Sequence, residues 1–261
     1  MVLIKTKINK KIAILSLNNE KKLNALSKLL IEECVAFLKE CRTKKVLTVL
    51  IKAEPNKQNV WSAGHDINEL PEGHRDPLGY YDPLERLLRK VREYPGPVIA
   101  AVKGSVWGGA CDLIMTCDLV YADKTSTFAI TPAKIGIPYN ISGILHFINR
   151  IGLNMAKEMF FTAKPIGAEK AEKWGIVNQV LESNEVEAKA LEAAQQICVN
   201  SPLAISVIKE QFRILSDAEA SLTPIAFERI EGLRREVYDS HDYSEGIRSF
   251  KEKRKPVFLG E

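Results

Sequence analysis

The chain has 261 residues, of which 46 % are apolar, and this is enough to bury one large core or a core with a smaller appendage. Lysine and arginine exceed aspartate and glutamate by 37 to 33, and the net charge of +4 is too small for a nucleic-acid-binding surface. No apolar run approaches a membrane span, and the start of the chain lacks the apolar segment of a signal peptide, so we expect a cytoplasmic protein without a membrane partner.

The beginning of the chain predicts a strand, strand, helix unit. Residues 2–7 and 11–17 are typical of two strands around a turn, and Ser27 can cap the helix that follows. Residues 46–53 then predict a buried strand, which starts a second unit of the same kind.

The second unit contains the first glycine turn of interest. The segment "VWSAGHDI" predicts a short strand that breaks at Gly64. Residues 66–82 are polar and rich in proline and glycine, so they predict a surface loop at the rim of a pocket. An amphipathic helix is expected over residues 83–93.

The middle of the chain repeats the alternation. "PVIAAVKG" predicts a buried strand, and the apolar segment after Gly108 predicts a helix. "DLVYA" and "TFAI" predict short strands, and two helices are expected over residues 143–150 and 154–161. Gly175 is expected to end a further helix before a last strand.

The end of the chain predicts a helical layer. Helices are expected over residues 185–199, 202–216, 223–238 and 242–253. We therefore divide the chain into a core of residues 1–184 and a helical region of residues 185–261, within an α/β fold.

The five cysteines and the histidines predict no metal site. Cysteine occurs without a CxxC pair or a Cys/His cluster of zinc spacing, so we interpret the cysteines as reduced core residues. His74, His146 and His241 lie outside any motif, and we expect them to be structural.

Two glycine turns point to chemistry. "SAGHD" and "WGGAC" each end a strand, and each could aim a backbone N–H into a cleft between them. Glycine lets a ligand approach the backbone closely, and a helix beginning at Gly108 would add its positive amino end. Two such donors would form an oxyanion hole. A tight turn between a strand and a helix remains the alternative interpretation of the glycine pair in "WGGAC".

The motifs "KKLNALS", "WSAGHDINEL", "GSVWGGACDLIMTCDLVYA", "TFAITPAKIGIPYN", "AEKAEKWGIVNQV" and "EGIRSFKEKRKPVF" together resemble the enoyl-CoA hydratase/isomerase (crotonase) superfamily along essentially the whole chain. The resemblance implies a spiral of strand-strand-helix turns, a C-terminal helical trimerisation region, a homotrimer or hexamer, and an acyl-CoA substrate. It implies that the thioester oxygen is held by the backbone N–H groups of His65 and Gly109.

Within the superfamily, "SAGHDINELP", "GHRDPLGYYDPL" and "STFAITPAKIGIPYN" resemble the bacterial methylmalonyl-CoA decarboxylase branch. This implies a biotin-independent carbon-carbon lyase that forms propionyl-CoA through an enolate, with His65, Gly109 and Tyr139 as catalytic residues and with methylmalonyl-CoA or malonyl-CoA as substrate. Trp107, Ile135 and Ile137 are expected to provide an apolar wall, although Trp107 is also typical of core packing. No cofactor is expected, because coenzyme A is part of the substrate.

The resemblance also implies the residues that line the path of the acyl-CoA. These are Lys22, Leu23, Ala63, Gly64, Asp66, Ile67, Gly108, Thr131 and, from the terminal helix, Lys253.

Two other kinds of function stay open, one within the family and one outside it. The hydratases of the superfamily place catalytic glutamates where this chain has Asp112 and Pro132, which disfavours hydration, but a hydratase, isomerase or thioester hydrolase that uses Asp112 remains the alternative within the family. A non-catalytic CoA-binding protein is the alternative outside it. We expect substitutions of Tyr139 and Asp112 to discriminate between decarboxylase and hydratase.

Overall fold

Strands and helices alternate along the computed structural model of the chain, which describes residues 2–71, 73–219 and 222–261. The strands in these residues are β1 (Ile4–Asn9), β2 (Ile12–Leu17), β3 (Thr48–Ala53), β4 (Val60–Ser62), β5 (Val98–Val102), β6 (Ser105–Trp107), β7 (Leu119–Asp123), β8 (Thr127–Ala129), β9 (Ile166–Gly167) and β10 (Gln179–Leu181). The helices are α1 (Lys28–Thr43), α2 (Pro83–Arg92), α3 (Gly109–Thr116), α4 (Ile141–Thr162), α5 (Ala168–Lys173), α6 (Val186–Cys198), α7 (Pro202–Glu219), α8 (Pro224–Tyr238) and α9 (His241–Lys251).

From β3 to β8, each turn of the chain contributes one strand to each of two sheets. The larger sheet has the order β1-β2-β3-β5-β7-β10, and the smaller has the order β4-β6-β8-β9. Consecutive turns therefore place β3, β5 and β7 in the large sheet and β4, β6 and β8 in the small one. Because β4, β6 and β8 pair in parallel, their carboxyl ends meet at the same edge of the small sheet.

The large sheet is covered on both faces, which explains its continuous apolar strands. All five residues of β5 are buried. Its Ile99 packs with Val186 and Ala190 of α6 on one face, while Val98 and Ala100 join the main core on the other. A strand buried on both faces needs apolar side chains at every position, as in other largely parallel sheets.

The predicted strand-strand-helix spiral and the four C-terminal helices are confirmed. Ser27 caps α1 through its side chain, which accepts a hydrogen bond from the backbone N–H of Leu30. The two helices predicted within α4 are separated where expected, at Gly152, which has φ of 77° and ψ of 162°. Strand β9 was not predicted, and β6, which ends at the expected glycine turn, was not distinguished from the strand before it. The division into residues 1–184 and 185–261 stays a prediction.

The cysteines are free, as predicted. Cys34, Cys41, Cys111 and Cys117 are buried, and burial raises the pKa of each thiol, to about 12 for Cys34. Cys198, on α6, is only partly buried.

The described residues contain neither a membrane-spanning helix nor a cluster suited to a metal ion. None of the helices in residues 2–71, 73–219 and 222–261 is long and apolar enough to cross a bilayer. The same residues contain no cluster of three His, Cys, Asp or Glu side chains placed to hold a metal ion.

Arg234 joins α8 to the loop that precedes α2. Its guanidinium, in a residue only 6 % exposed, donates to Asp76 Oδ2 at 3.0 Å and to Glu231 Oε1 at 2.9 Å. It also approaches the backbone carbonyl of Pro138. This arginine therefore connects the 66–82 loop with the segment that carries Tyr139.

We expect Arg234→Met to lower the free energy of unfolding by about 2 kcal/mol, because Asp76 loses its charged hydrogen-bond donor. Urea denaturation would measure the change. Arg229→Met, on an exposed face of α8, is the matched control and should leave stability nearly unchanged. Equal effects of the two substitutions would contradict this role for Arg234.

Candidate active site

Three neighbouring strands of the small sheet deliver the predicted site residues to one edge. Ala63, Gly64 and His65 follow β4, and Gly108 and Gly109 follow β6. Thr131 lies two residues after the end of β8. The parallel pairing of these strands thus accounts for the meeting of segments that are far apart in the sequence.

The two glycine turns contact each other through their backbones. A Cβ atom added to Gly64 would lie 2.4 Å from the Trp107 carbonyl oxygen and 3.0 Å from the Gly109 nitrogen. A Cβ atom added to Gly109 would lie 3.5 Å from the His65 nitrogen. Gly64 also has φ of +87°, which side chains disfavour. Glycine is therefore needed for the close approach of the two turns.

The amides of His65 and Gly109 are consequently neighbours. Gly109 is the first residue of α3, so its N–H has no acceptor within the helix and lies at the positive end of the helix dipole. Two adjacent backbone donors at such a position favour a negatively charged oxygen.

A small cavity of about 50 Å³ lies against these turns. Seven of the residues predicted from the sequence as catalytic or substrate-binding line it, together with apolar and small side chains. The lining consists of Ala63, His65, Ile67, Leu70, Leu78, Leu84, Gly108, Gly109, Thr131, Pro132, Ile135, Ile137 and Tyr139. Among the described residues, no carboxylate belongs to this lining. Of the predicted apolar wall, Ile135 and Ile137 are present, whereas Trp107 is not part of the lining.

Tyr139 belongs to a hydrogen-bonded group behind the cavity. Its hydroxyl donates to Asp112 Oδ2 at 2.7 Å, and Asp112 Oδ1 lies 2.7 Å from Nδ1 of His146. Asp112 is completely buried. Burial and the neighbouring Asp112 carboxylate hold the pKa of the Tyr139 phenol well above its usual value, so the phenol is protonated at neutral pH.

His65 places its imidazole between two oxygen acceptors. Nδ1 lies 3.1 Å from the backbone oxygen of Asp66, and Nε2 lies 3.5 Å from Oδ2 of Asp82. Burial lowers the pKa of the imidazole, but the hydrogen bond and charge of Asp82 outweigh it, so the pKa of His65 lies above its ordinary value. The arrangement favours the imidazolium, which donates from both nitrogens.

Asp82→Asn should lower the pKa of His65, because it removes the negative charge and keeps a side chain of similar shape. Asparagine also caps helices well, so the hydrogen bond from the Leu84 N–H to residue 82 should persist. An NMR titration of the histidine ring signals would measure the shift. An unchanged pKa of His65 would show that Asp82 does not control its charge.

A larger cavity of about 990 Å³ adjoins the first, and His65 lines both. Its wall includes Glu69, Pro71 and Arg75 of the 66–82 loop, which confirms the prediction that this loop forms a pocket rim. Tyr80 of the loop also lines it.

The remaining predicted binding residues divide into two groups. Lys22 forms an ion pair of 2.7 Å with Asp66, and the carbonyl oxygen of Leu23 accepts from the N–H of Ala63 at 2.9 Å, so both adjoin the strand end that carries His65. Lys253 follows α9, is exposed, and does not line either cavity of this chain. The structure thus brings the predicted residues together except for Lys253.

Comparison of the sequence with known proteins shows the family to which the chain belongs. The sequence matches the enoyl-CoA hydratase/isomerase family over residues 7–261. The chain belongs to this family. It is 46 % identical to methylmalonyl-CoA decarboxylase of Escherichia coli strain K12 over 250 residues, which cover 96 % of this chain and 95 % of that protein. It is 31 % identical to short-chain-enoyl-CoA hydratase of Clostridium acetobutylicum over 247 residues, covering 94 % and 93 %.

A solved structure of methylmalonyl-CoA decarboxylase in complex with 2-nitronate-propionyl-CoA is also similar. Its TM-score is 0.95 at 45 % identity, and the match covers 99 % of this chain and 98 % of that chain. The family resemblance and the crotonase-like fold expected from the sequence are therefore confirmed.

Sequence reasoning missed three features around this family site. Leu84 of α2 packs against Gly109, Asp82 pairs with His65, and His146 pairs with Asp112. Asp82 stands directly before the proline of a predicted helix, which marks it as a cap but not as a partner of His65. His146 carries no local signal, because its partner is 34 positions away.

Proposed function

We propose that this chain decarboxylates methylmalonyl-CoA to propionyl-CoA and CO2. The observation that carries the proposal is the cavity itself, where two adjacent backbone amides and the protonated Tyr139 face a wall to which the described part of the chain contributes no carboxylate. Loss of CO2 from a malonyl-type thioester leaves an enolate, so the reaction needs stabilisation of an oxyanion more than it needs a base. The similarity to methylmalonyl-CoA decarboxylases supports the same substrate.

In the proposed reaction the amides of His65 and Gly109 bind the thioester oxygen. Negative charge grows on this oxygen as the C–C bond breaks, and donors placed in advance stabilise that charge without reorganising. The electron pair of the breaking bond supplies the enolate, so the reaction requires neither biotin nor a metal ion.

Tyr139 and His65 act on the carboxylate that leaves. The phenol of Tyr139 turns the carboxylate out of the thioester plane, so that the breaking bond overlaps the forming enolate. Ile135 and Ile137 provide an apolar surface that disfavours the charged carboxylate relative to neutral CO2. The raised pKa of His65 favours its imidazolium form. In the proposed reaction the positive charge of this imidazolium lies near the departing carboxylate and the developing oxyanion.

The larger cavity is the proposed path of the CoA moiety. It joins the small cavity at His65, and its wall carries the cations Lys28, Arg75 and Arg86 beside four carboxylates, Glu32, Glu69, Asp76 and Asp82. Phosphate groups accept charge-assisted hydrogen bonds from arginine and lysine, so we assign the phosphates of the nucleotide to these three cations. The backbone near Lys22, Leu23, Asp66 and Ile67 is proposed to contact the pantetheine chain.

We propose further that the helical region associates into trimers or dimers of trimers. Apolar side chains of α7 and α8 are exposed, among them Leu203, Phe212, Ile225 and Leu233. Exposed apolar groups of this number favour association. Light scattering of the purified chain would measure the mass, and Lys253 would then be tested as a residue that reaches a neighbouring subunit.

Incubation of the purified chain with methylmalonyl-CoA, without biotin or added metal, tests the proposed activity. Mass spectrometry should detect propionyl-CoA, while crotonyl-CoA in a parallel reaction should remain unhydrated. Hydration without decarboxylation would favour the hydratase alternative. Substitutions cannot discriminate as expected from the sequence, because Tyr139 and Asp112 share a hydrogen bond and each substitution alters both.

A further inference from the structure

A buried group of titratable side chains lies behind the active-site cavity, and the mechanism above uses only its first member. Tyr139 lines the active-site cavity, and Asp112 is completely buried. His146 lines a third cavity, of about 610 Å³, which is separate from the proposed path of the CoA moiety. Each of the two hydrogen-bonded contacts along this path is 2.7 Å. The three side chains therefore form a continuous connection between two cavities.

The surrounding residues support this connection. Gly143 lies one turn before His146 on α4, and a Cβ atom there would be 2.2 Å from Cε1 of Tyr139 and 2.8 Å from Oδ2 of Asp112. Asn140 caps α4 by accepting from the N–H of Gly143 at 3.0 Å. The local backbone thus leaves just enough room for the contact between Tyr139 and Asp112.

A second buried carboxyl group lies in the same cluster. Glu85 of α2 is 5 % exposed and accepts from the Ser142 hydroxyl at 2.9 Å. Burial raises the pKa of Glu85, and the charge of Asp112 adds to this effect, whereas His146 opposes it. The raised pKa of Glu85 favours its protonated form, which places a second proton-bearing group beside the contact between Tyr139 and Asp112.

We propose that His146 and Asp112 deliver a proton through Tyr139 to the carbon that loses CO2. This inference rests on the proposed decarboxylation, which consumes one proton for each CO2 released. It assigns a positioning and proton-transfer role to His146 and Asp112, neither of which lines the active-site cavity.

In the resting contact the Tyr139 hydroxyl donates to Oδ2 of Asp112. When His146 passes a proton from Nδ1 to Asp112, the carboxyl group donates to the Tyr139 oxygen instead, and the Tyr139 O–H is free to point into the active-site cavity. After CO2 leaves, the Tyr139 O–H bond breaks and its proton bonds to the enolate carbon, while Asp112 gives its proton to the phenolate oxygen and becomes a carboxylate again. His146 regains a proton from hydronium or a buffer acid that enters the third cavity, so each turnover consumes one proton from solvent.

The test compares His146→Ala with His241→Ala, an exposed histidine at the start of α9. We expect His146→Ala to lower kcat for methylmalonyl-CoA by about tenfold or more, with KM nearly unchanged, whereas His241→Ala should match the native chain. Added imidazole should restore part of the lost kcat, because the third cavity, which His146 lines, has room for it. Across substituted imidazoles, the restored rate should vary with the pKa of the additive.

His146→Asn separates proton transfer from structural support. Asparagine can donate a hydrogen bond to Asp112 but cannot pass on a proton, so we expect it to be as slow as alanine. A native kcat in His146→Asn or in His146→Ala would overturn the inference, and so would a slow variant that no imidazole restores. A native chain that forms no propionyl-CoA would instead overturn the proposed function, and the inference with it.

Discussion

Tyr139→Phe should lower kcat for methylmalonyl-CoA by about 10³-fold, because both the orientation of the carboxylate and the delivery of a proton depend on the hydroxyl. The ring should stay in place, since it packs against Phe160 with ring centroids 5.4 Å apart. Steady-state kinetics would separate a fall in kcat from a change in KM.

Tyr121→Phe is the matched control for Tyr139→Phe. Tyr121 is also largely buried, but it packs beneath α6 on the far face of the large sheet. Its substitution should leave kcat within about twofold of the native value, as expected for a change remote from the chemistry. A Tyr139→Phe chain with native kcat would remove Tyr139 from the mechanism.

Gly64→Ala should lower kcat/KM by about 10³-fold, because it displaces the two amides from each other. The new methyl group would lie 2.4 Å from the Trp107 carbonyl oxygen, which belongs to the backbone and cannot turn away. The positive φ of Gly64 adds about 1 kcal/mol of backbone strain. Kinetics with methylmalonyl-CoA and thermal denaturation would report the two effects separately.

Gly167→Ala is the corresponding control. A Cβ atom at Gly167 would meet nothing within 4 Å, and the φ of −77° is ordinary for any residue. We expect native activity and stability from this variant. A folded Gly64→Ala chain with native kcat/KM would show that the contact between the glycine turns does not maintain the oxyanion hole.

Periodicity predicted the spiral because most of its strands and helices are long enough to show a pattern. Strand β3 and helix α1 have six and sixteen residues, and both were expected close to their observed places. Strand β9 has only two residues, which is too short for an alternating pattern, and only Lys103 and Gly104 separate β6 from the end of β5, so no pattern of its own marks β6. Their places follow instead from pairing with β8.

The candidate site was predictable where its chemistry lies in local motifs. Gly64, Gly108 and Tyr139 stand in segments whose spacing and family resemblance marked them, and all three adjoin the observed cavity. The pairing of His146 with Asp112 depends on how α4 crosses α3, and no single-chain pattern encodes that crossing. The pairing of Asp112 with His146 behind Tyr139 could therefore be found only from the three-dimensional structure.

The proposed oxyanion hole bears on how the family can diversify. Because both proposed donors are backbone amides, a mutation of a side chain around the cavity, other than one at the glycines of the two turns, leaves the thioester held in the same place. Binding and chemistry can thus diverge separately, and a new reaction requires only new side chains at positions such as 112, 132 and 139. An ancestor with this scaffold could acquire hydration or decarboxylation without rebuilding its fold, which accords with relatives of both kinds at 31 % and 46 % identity.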